Sequence, residues 1–309
     1  MNKLYQAARS FIYRNARPLD FARFRFHFEG GSREDVLNIL AAYQNADGGF
    51  GHALEPDFWN PASTPIATWA ATCILREIDL CDAKHPVIAG ILRYLSSGSD
   101  FENGQWYTAV ASNNDHPHAV WWACSSDKGT PHDNPTMSLA GFALRFASPD
   151  SPLYSKAQEI AARAIAAFVN APISDDAHTT SCYAELLGYL EAASPLPSVD
   201  LPAFRKAVHA AVNEAICKEP AKWFTEYVCK PSQFFGKLPG FFSVISPDLC
   251  RKEAALLAQK QEESGAWPVT WQWHTPYKEY HISANWWRAS LTLDNLLYMQ
   301  AMNLLERDA

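Results

Sequence analysis

Fixed charge is scarce in this chain, and the charge present leans acidic. Charged residues make up 19% of the 309 positions, with 26 Lys+Arg against 33 Asp+Glu and a formal net charge of −7. No basic excess is available to track phosphates, which excludes nucleic-acid binding as the default reading. No uncharged apolar run approaches the roughly 18 residues that would cross a bilayer. No apolar signal core marks the N-terminus, so a cytoplasmic protein is expected. Paired-cysteine motifs are absent too. The seven cysteines (Cys73, Cys81, Cys124, Cys182, Cys217, Cys229, Cys250) are odd in number and scattered, which fits reduced thiols and argues against a disulfide framework or a zinc ribbon. Long apolar/polar alternation is missing, so strands are not expected.

Apolar and aromatic residues are plentiful: 48% hydrophobic, with 11 Trp, 12 Tyr and 17 Phe. They fall into two kinds of helical segment. Arg33–Gln44, Asp82–Ser97, Leu153–Asn170, Leu201–Cys217 and Ser246–Glu263 are amphipathic, with charges opposite apolar stripes. Thr64–Leu75 and Pro135–Leu144 carry no charge, Ala177–Leu190 only Glu185, and Ala289–Leu305 only Asp294. A helix apolar on every face must be covered on every face. The expected architecture is therefore all-α: an inner ring of uncharged helices wrapped by an outer amphipathic ring, an α/α toroid of about five to six hairpins, read as one domain over residues 1–309. Ser63-Thr64-Pro65, Asn134-Pro135 and Ser246-Pro247 supply helix starts. The stretch Lys230–Gly240 (KPSQFFGKLPG) interrupts one inner position. Residues 1–17 are expected to form a helix docked on or beside the body. Its stripe of Leu4, Ala8, Phe11 and Ile12 under Lys3, Arg9, Arg14 and Arg17 also admits weak contact with a membrane surface.

A turn recurs at the ends of the amphipathic helices: Gln44-Asn-Ala-Asp-Gly-Gly-Phe50, Glu102-Asn-Gly-Gln-Trp106 and Gln261-Glu-Glu-Ser-Gly-Ala-Trp267. Gly49 to Gly104 is 55 residues and Gly104 to Gly265 is 161, close to three further periods. Gly ends the helix in the left-handed conformation, Gln meets free carbonyls, and the aromatic wedges between hairpins. The segment QNADGGFG (44–51), followed by STPIATWAATCIL (63–75), resembles the repeat of the prenyltransferase and squalene-cyclase superfamily, and 261–267 resembles a more degenerate copy. The resemblance implies the α/α toroid shared by terpenoid cyclases and protein prenyltransferase β subunits.

In such a toroid the loops entering the inner helices converge on one mouth. Those loops hold His52, Glu55, Asp57 and Trp59; His116, His118, Trp121, Trp122, His132 and Asp133; Asp175, Asp176 and His178; and His281 and Trp286, with Tyr227 at the broken inner position. Seven of the ten His lie there, counting His274. Convergent polar groups in an aromatic concavity form the default site. Asp57 is assigned as proton donor, with Glu55 and His118 to tune it. His52, Trp59, His116, Trp121, Trp122, Asp133, His178, Tyr227, His281 and Trp286 are assigned to substrate binding. A structural reading competes at each position: Asp176 as a helix cap, Cys182 as a small hydrophobe, and His116-x-His118 as loop hydrogen-bonders rather than metal ligands with Asp133 or His52. No metal or cofactor is assigned.

The superfamily's Asp-x-Asp-Asp and Asp-Asp-x-x-Asp/Glu motifs are absent, as is a recognisable zinc triad, so no catalytic residue transfers by resemblance. The first expectation is a terpenoid-cyclase-like enzyme acting on an isoprenoid by general acid catalysis. The second is a carbohydrate-active α/α-barrel hydrolase or lyase, and the third a non-catalytic ligand-binding toroid. The expected partner is thus a small molecule, isoprenoid or sugar.

Overall fold

Helices dominate the computed structural model, which describes residues 3–193 and 196–305. In chain order they are α1 (Lys3–Asn15), α2 (Pro18–Phe28), α3 (Arg33–Leu40), α4 (Pro65–Glu77), α5 (Pro86–Ser97), α6 (Asp133–Phe146), α7 (Pro152–Asn170), α8 (Ala177–Ala192), α9 (Leu201–Ala215), the single turn α10 (Phe241–Val244), α11 (Pro247–Lys260) and α12 (Tyr280–Ala301). The two expected kinds are both present. In α7 one stripe is buried (Leu153, Ala157, Ile160, Ala161, Ala164, Ile165), whereas α6 is buried continuously from Pro135 to Leu144. Each large apolar side chain so covered contributes about 1.5–3 kcal/mol, and one hydrophobic cluster runs from Ala8 to Met299.

The recurring turn ties each amphipathic helix to the next. Gln44 Nε2 donates to Gly48 O (2.9 Å) and to Val87 O at the start of α5 (3.1 Å). Gly48 has φ +97°, and a Cβ there would lie 2.0 Å from Gly90 O on α5, so no other residue fits. The last copy repeats this geometry on the start of the chain. Gln261 Nε2 donates to Gly265 O and Leu4 O, each at 2.9 Å. Gly265 has φ +95°, with its would-be Cβ 2.1 Å from Ala7 O on α1. The final amphipathic helix is thereby fastened to the first.

The middle copy departs from the all-α expectation. Asn103 and Gly104 both have positive φ and form the two-residue turn of a hairpin. It joins β1 (Phe101–Glu102) to β2 (Gln105–Val110), and β3 (Gly129–Pro131) pairs antiparallel along the far edge of β2. QWYTAV is rich in strand-favouring residues. Even so, Gly104 O accepts from Arg163 on α7, reaching the next amphipathic helix as the other copies do.

The expected N-terminal helix is α1, and a second helix, α2, follows it from Pro18. Ala8, Phe11 and Ile12 are buried and Leu4 packs on the core, so the apolar stripe of α1 is covered by protein rather than free for a membrane surface. Arg17 is not on the basic outer face: it is buried, pairs with Asp20, and donates to Ala53 O and Leu54 O. The second helix, α2, lies between α4 and α12, where Arg23 pairs with Asp20, Glu77 and Asp294. No helix among the described residues is long and apolar enough to cross a membrane. Thr64 caps α4 as expected, accepting from Ala67 N. Ser246 makes no side-chain cap bond, and α6 begins at Asp133, capped by His132 rather than Asn134. The last helix starts at Tyr280, nine residues before the uncharged run.

Candidate functional site

Three loops are laced together at the start of α12. Phe58 bridges antiparallel to His118. Trp59 N donates to Pro117 O and Ala119 N to Asp57 O, both at 2.8 Å, and Val120 N donates to Trp273 O at 3.0 Å. Thr275 Oγ1 adds a bond to His118 O (3.1 Å). Ser283 on α12 fixes the assembly from below, donating to Pro56 O (2.6 Å) and accepting from Trp59 Nε1 (2.9 Å). Trp59 stacks on Trp286 at 5.3 Å.

Asp57 is the buried centre of this junction. Oδ1 accepts from Trp273 Nε1 (2.7 Å) and Oδ2 from Trp271 Nε1 (3.1 Å). Burial pushes its carboxyl up, while Trp273, Trp287 and Trp271 pull it back. The Trp287 N–H makes no hydrogen bond of its own. Glu55 Oε2 accepts the Asp57 backbone N–H (2.8 Å). Burial, and then the charge of Asp57, push Glu55 well above the ordinary carboxylate range. Two carboxyls in one poorly solvated site do not both ionise readily. Both carboxyls are therefore raised, Glu55 the further of the two, and the pair retains a proton more readily than a free carboxyl does.

An aromatic wall runs outward from Asp57. Trp271 meets Trp287 edge to face (5.4 Å, 78°) and Tyr227 likewise (5.7 Å, 71°). Tyr227 Oη shares a hydrogen bond with His178 Nε2 (2.8 Å), and His178 is presented by the first turn of α8. Burial and then Lys237 push His178 down. Burial, then Asp57 and Glu55, push Tyr227 up to about 12. Tyr227, between His178 and Trp271, thus links the start of α8 to the Asp57 junction. His118 adjoins it through the Phe58 pairing, its Nδ1 facing His116 O (2.7 Å) and its ring beside Tyr277.

Other assigned residues lie elsewhere. His52 is exposed on the outer rim, bonded to Asn45 Oδ1. Trp121 is 42% exposed, whereas Trp122 packs edge-on against Phe58. Asp133 serves a separate network, accepting from Gln105 Nε2 and Tyr183 Oη. His281 is exposed beside Tyr280, on a shallow cleft of about 270 Å³ lined by residues 272–281. Asp176 caps α8 through His178 N (3.0 Å). Among the described residues no three of His, Cys, Asp and Glu are placed to hold a metal ion.

Below the mouth the inner helices meet on charge. Glu185 of α8, fully buried, pairs with Arg76 of α4 (3.0 Å) and accepts from Trp69 Nε1 (2.8 Å) and Ser138 Oγ of α6 (2.6 Å). Burial opposes its ionisation, but Arg76, Lys237, Ser138 and Trp69 outweigh it and hold the carboxyl low. Asp294 is 51% exposed, yet desolvation by surrounding protein, opposed by Arg23 and reinforced by Glu77 and Asp20, pushes it up to about 6.

Trp271 and Trp273 are site residues that sequence reasoning missed. The signal available was the Trp-x-Trp pair between the last Gln-to-Trp turn and α12. No protein-family model and no curated relative matches the chain.

Proposed function

We propose that the chain is an α/α toroid of six hairpins whose mouth carries out general acid catalysis on a polar, ring-shaped substrate, a sugar. Six outer helices (α1, α3, α5, α7, α9, α11) would alternate with α2, α4, α6, α8, the irregular stretch around α10, and α12. The Gln261 bond to Leu4 O supports closure of that ring. The observation that carries the substrate class is the charged interior. Arg76, partly exposed against the buried Glu185, and Asp294, half exposed against the buried Arg23, keep charge among the inner helices, where an isoprenoid chain would displace water without replacing its hydrogen bonds. A sugar presents hydroxyls to those charges and stacks its ring on Trp271 or Tyr227. Asp57, next to the aromatic wall, is the member of the pair that meets substrate. The pair retains one proton, which Asp57 would deliver to the glycosidic oxygen, and the water that adds to the sugar returns a proton to the pair.

Incubating the protein with a panel of oligosaccharides, and separately with squalene and isoprenoid diphosphates, tests this by product analysis. Sugar products that vanish in Asp57→Ala and Glu55→Gln, with circular dichroism unchanged, support the assignment. Cyclised or dephosphorylated isoprenoid products would overturn it.

A further inference from the structure

The faces around Asp57 select a charge as well as a ring. We propose that the mouth recognises an amino sugar, its ammonium seated among Trp271, Trp287 and Tyr227 with Asp57 behind. The inference rests on reading the mouth as a sugar site and adds the substituent that the site distinguishes. Trp271 is crossed nearly at right angles by Trp287 on one side and Tyr227 on the other. Three such rings make three walls of a box, and aromatic faces attract a desolvated cation. All three remain partly open to solvent, Tyr227 by 58%. The acids Asp57, Glu55 and Asp176 surround the Tyr227 phenol.

Of the neighbouring cations, Lys237 bears on His178, the hydrogen-bond partner of Tyr227, and Arg17 is bound elsewhere. Arg17 is committed to Asp20 and two backbone carbonyls. Lys237 lies toward the floor: its own carbonyl is near Gly188 of α8, and the preceding Gly236 O accepts from Arg76. Beside its bond to His178, the Tyr227 oxygen keeps a lone pair for an ammonium N–H.

Calorimetric titration of the full-length chain with tetramers of glucosamine, glucose and galacturonic acid, and with tetramethylammonium, decides the matter. The glucosamine tetramer is expected to bind at least tenfold more tightly than the glucose tetramer, the galacturonate tetramer not at all, and Trp271→Ala to weaken glucosamine binding at least tenfold. Tyr227→Ala, at an exposed position, gives the same loss if Trp271→Ala fails to fold. Equal affinity for glucosamine and glucose would overturn the selection of charge and leave the sugar reading standing. Binding of tetramethylammonium but of no sugar would uphold the cation box and overturn the sugar reading. No binding by any of the four overturns the inference.

Discussion

Replacing Glu55 with Gln should make the protein less sensitive to alkali, and the sign follows from the burial of that carboxyl. Glu55 is 8% exposed, and its oxygen accepts the Asp57 backbone N–H at 2.8 Å. Burial and the Asp57 charge raise its folded-state pKa well above the ordinary value, against the smaller pull of the Asp57 N–H and Arg17. In the unfolded chain it titrates near 4.3. Below that pH both states are protonated and the contribution of Glu55 is complete. As pH rises, the unfolded chain loses the proton first, and stability falls by up to about 1.4 kcal/mol per pH unit until the folded pKa is passed. Gln keeps the acceptor oxygen and stays neutral in both states, so the variant lacks this slope. Urea unfolding of wild type and Glu55→Gln between pH 4 and pH 8 should give curves that diverge with pH in favour of the variant. Parallel curves would show that Glu55 is ionised in the fold and would remove the one-proton pair.

Asp57→Asn should destabilise the fold by about 2 kcal/mol, because both Asp57 oxygens accept indole N–H groups and an amide leaves one buried donor facing another; an unchanged melting temperature would contradict those bonds. Gly265→Ala would push a Cβ to 2.1 Å from Ala7 O at φ +95°, a strain of about 1–3 kcal/mol, and hydrogen exchange should show α1 opening before the other helices. Glu185→Leu strands the Arg76 charge and should cost about 3 kcal/mol, while Arg76→Met/Glu185→Leu together should recover most of it in a double-mutant cycle; additive losses would mean the two groups do not interact.

Much of the helical pattern was legible because full burial demands a chargeless sequence. Pro135–Leu144 and Ala177–Leu190 fall within α6 and α8. The same rule hid α2, whose sequence PLDFARFRFHF carries charges that face inward and are satisfied there by Glu77 and Asp294. It also ended α4 too early, at Leu75, since Arg76 and Glu77 continue the helix into buried ion pairs. The Asn103-Gly104 hairpin was read as a helix-ending turn because both use left-handed glycine; the strand-forming QWYTAV after it was the distinguishing signal. At the site, His, Asp and Glu drew attention as reactive types, yet the groups that set the state of Asp57 are indoles from a loop with no catalytic motif. That dependence is tertiary, since Trp271 and Trp273 lie 214 and 216 positions from Asp57.

The repeat itself explains how such distant residues meet. After the first Gln-to-Phe turn, Phe50 pairs with Thr64 and His52 N bonds Asn60 O, closing a loop that presents Asp57 at the entrance to α4. After the last turn, the corresponding loop carries Trp271 and Trp273 to the entrance of α12. These two loops are far apart in sequence, but Gln261 fastens α11 to α1, and α2 packs between α4 and α12 through Arg23. The two loops then meet directly, Trp271 and Trp273 donating to Asp57. The carboxylate and its donors thus lie on loops that follow two copies of one turn, brought together where the last helices return to the first. An alteration that opens that closure, such as Gly265→Ala, should therefore loosen the Asp57 site as well as α1, and a raised accessibility of Trp271 to acrylamide quenching in that variant would register it. Quenching equal to wild type, with α1 already released, would separate the site from the closure and defeat this account.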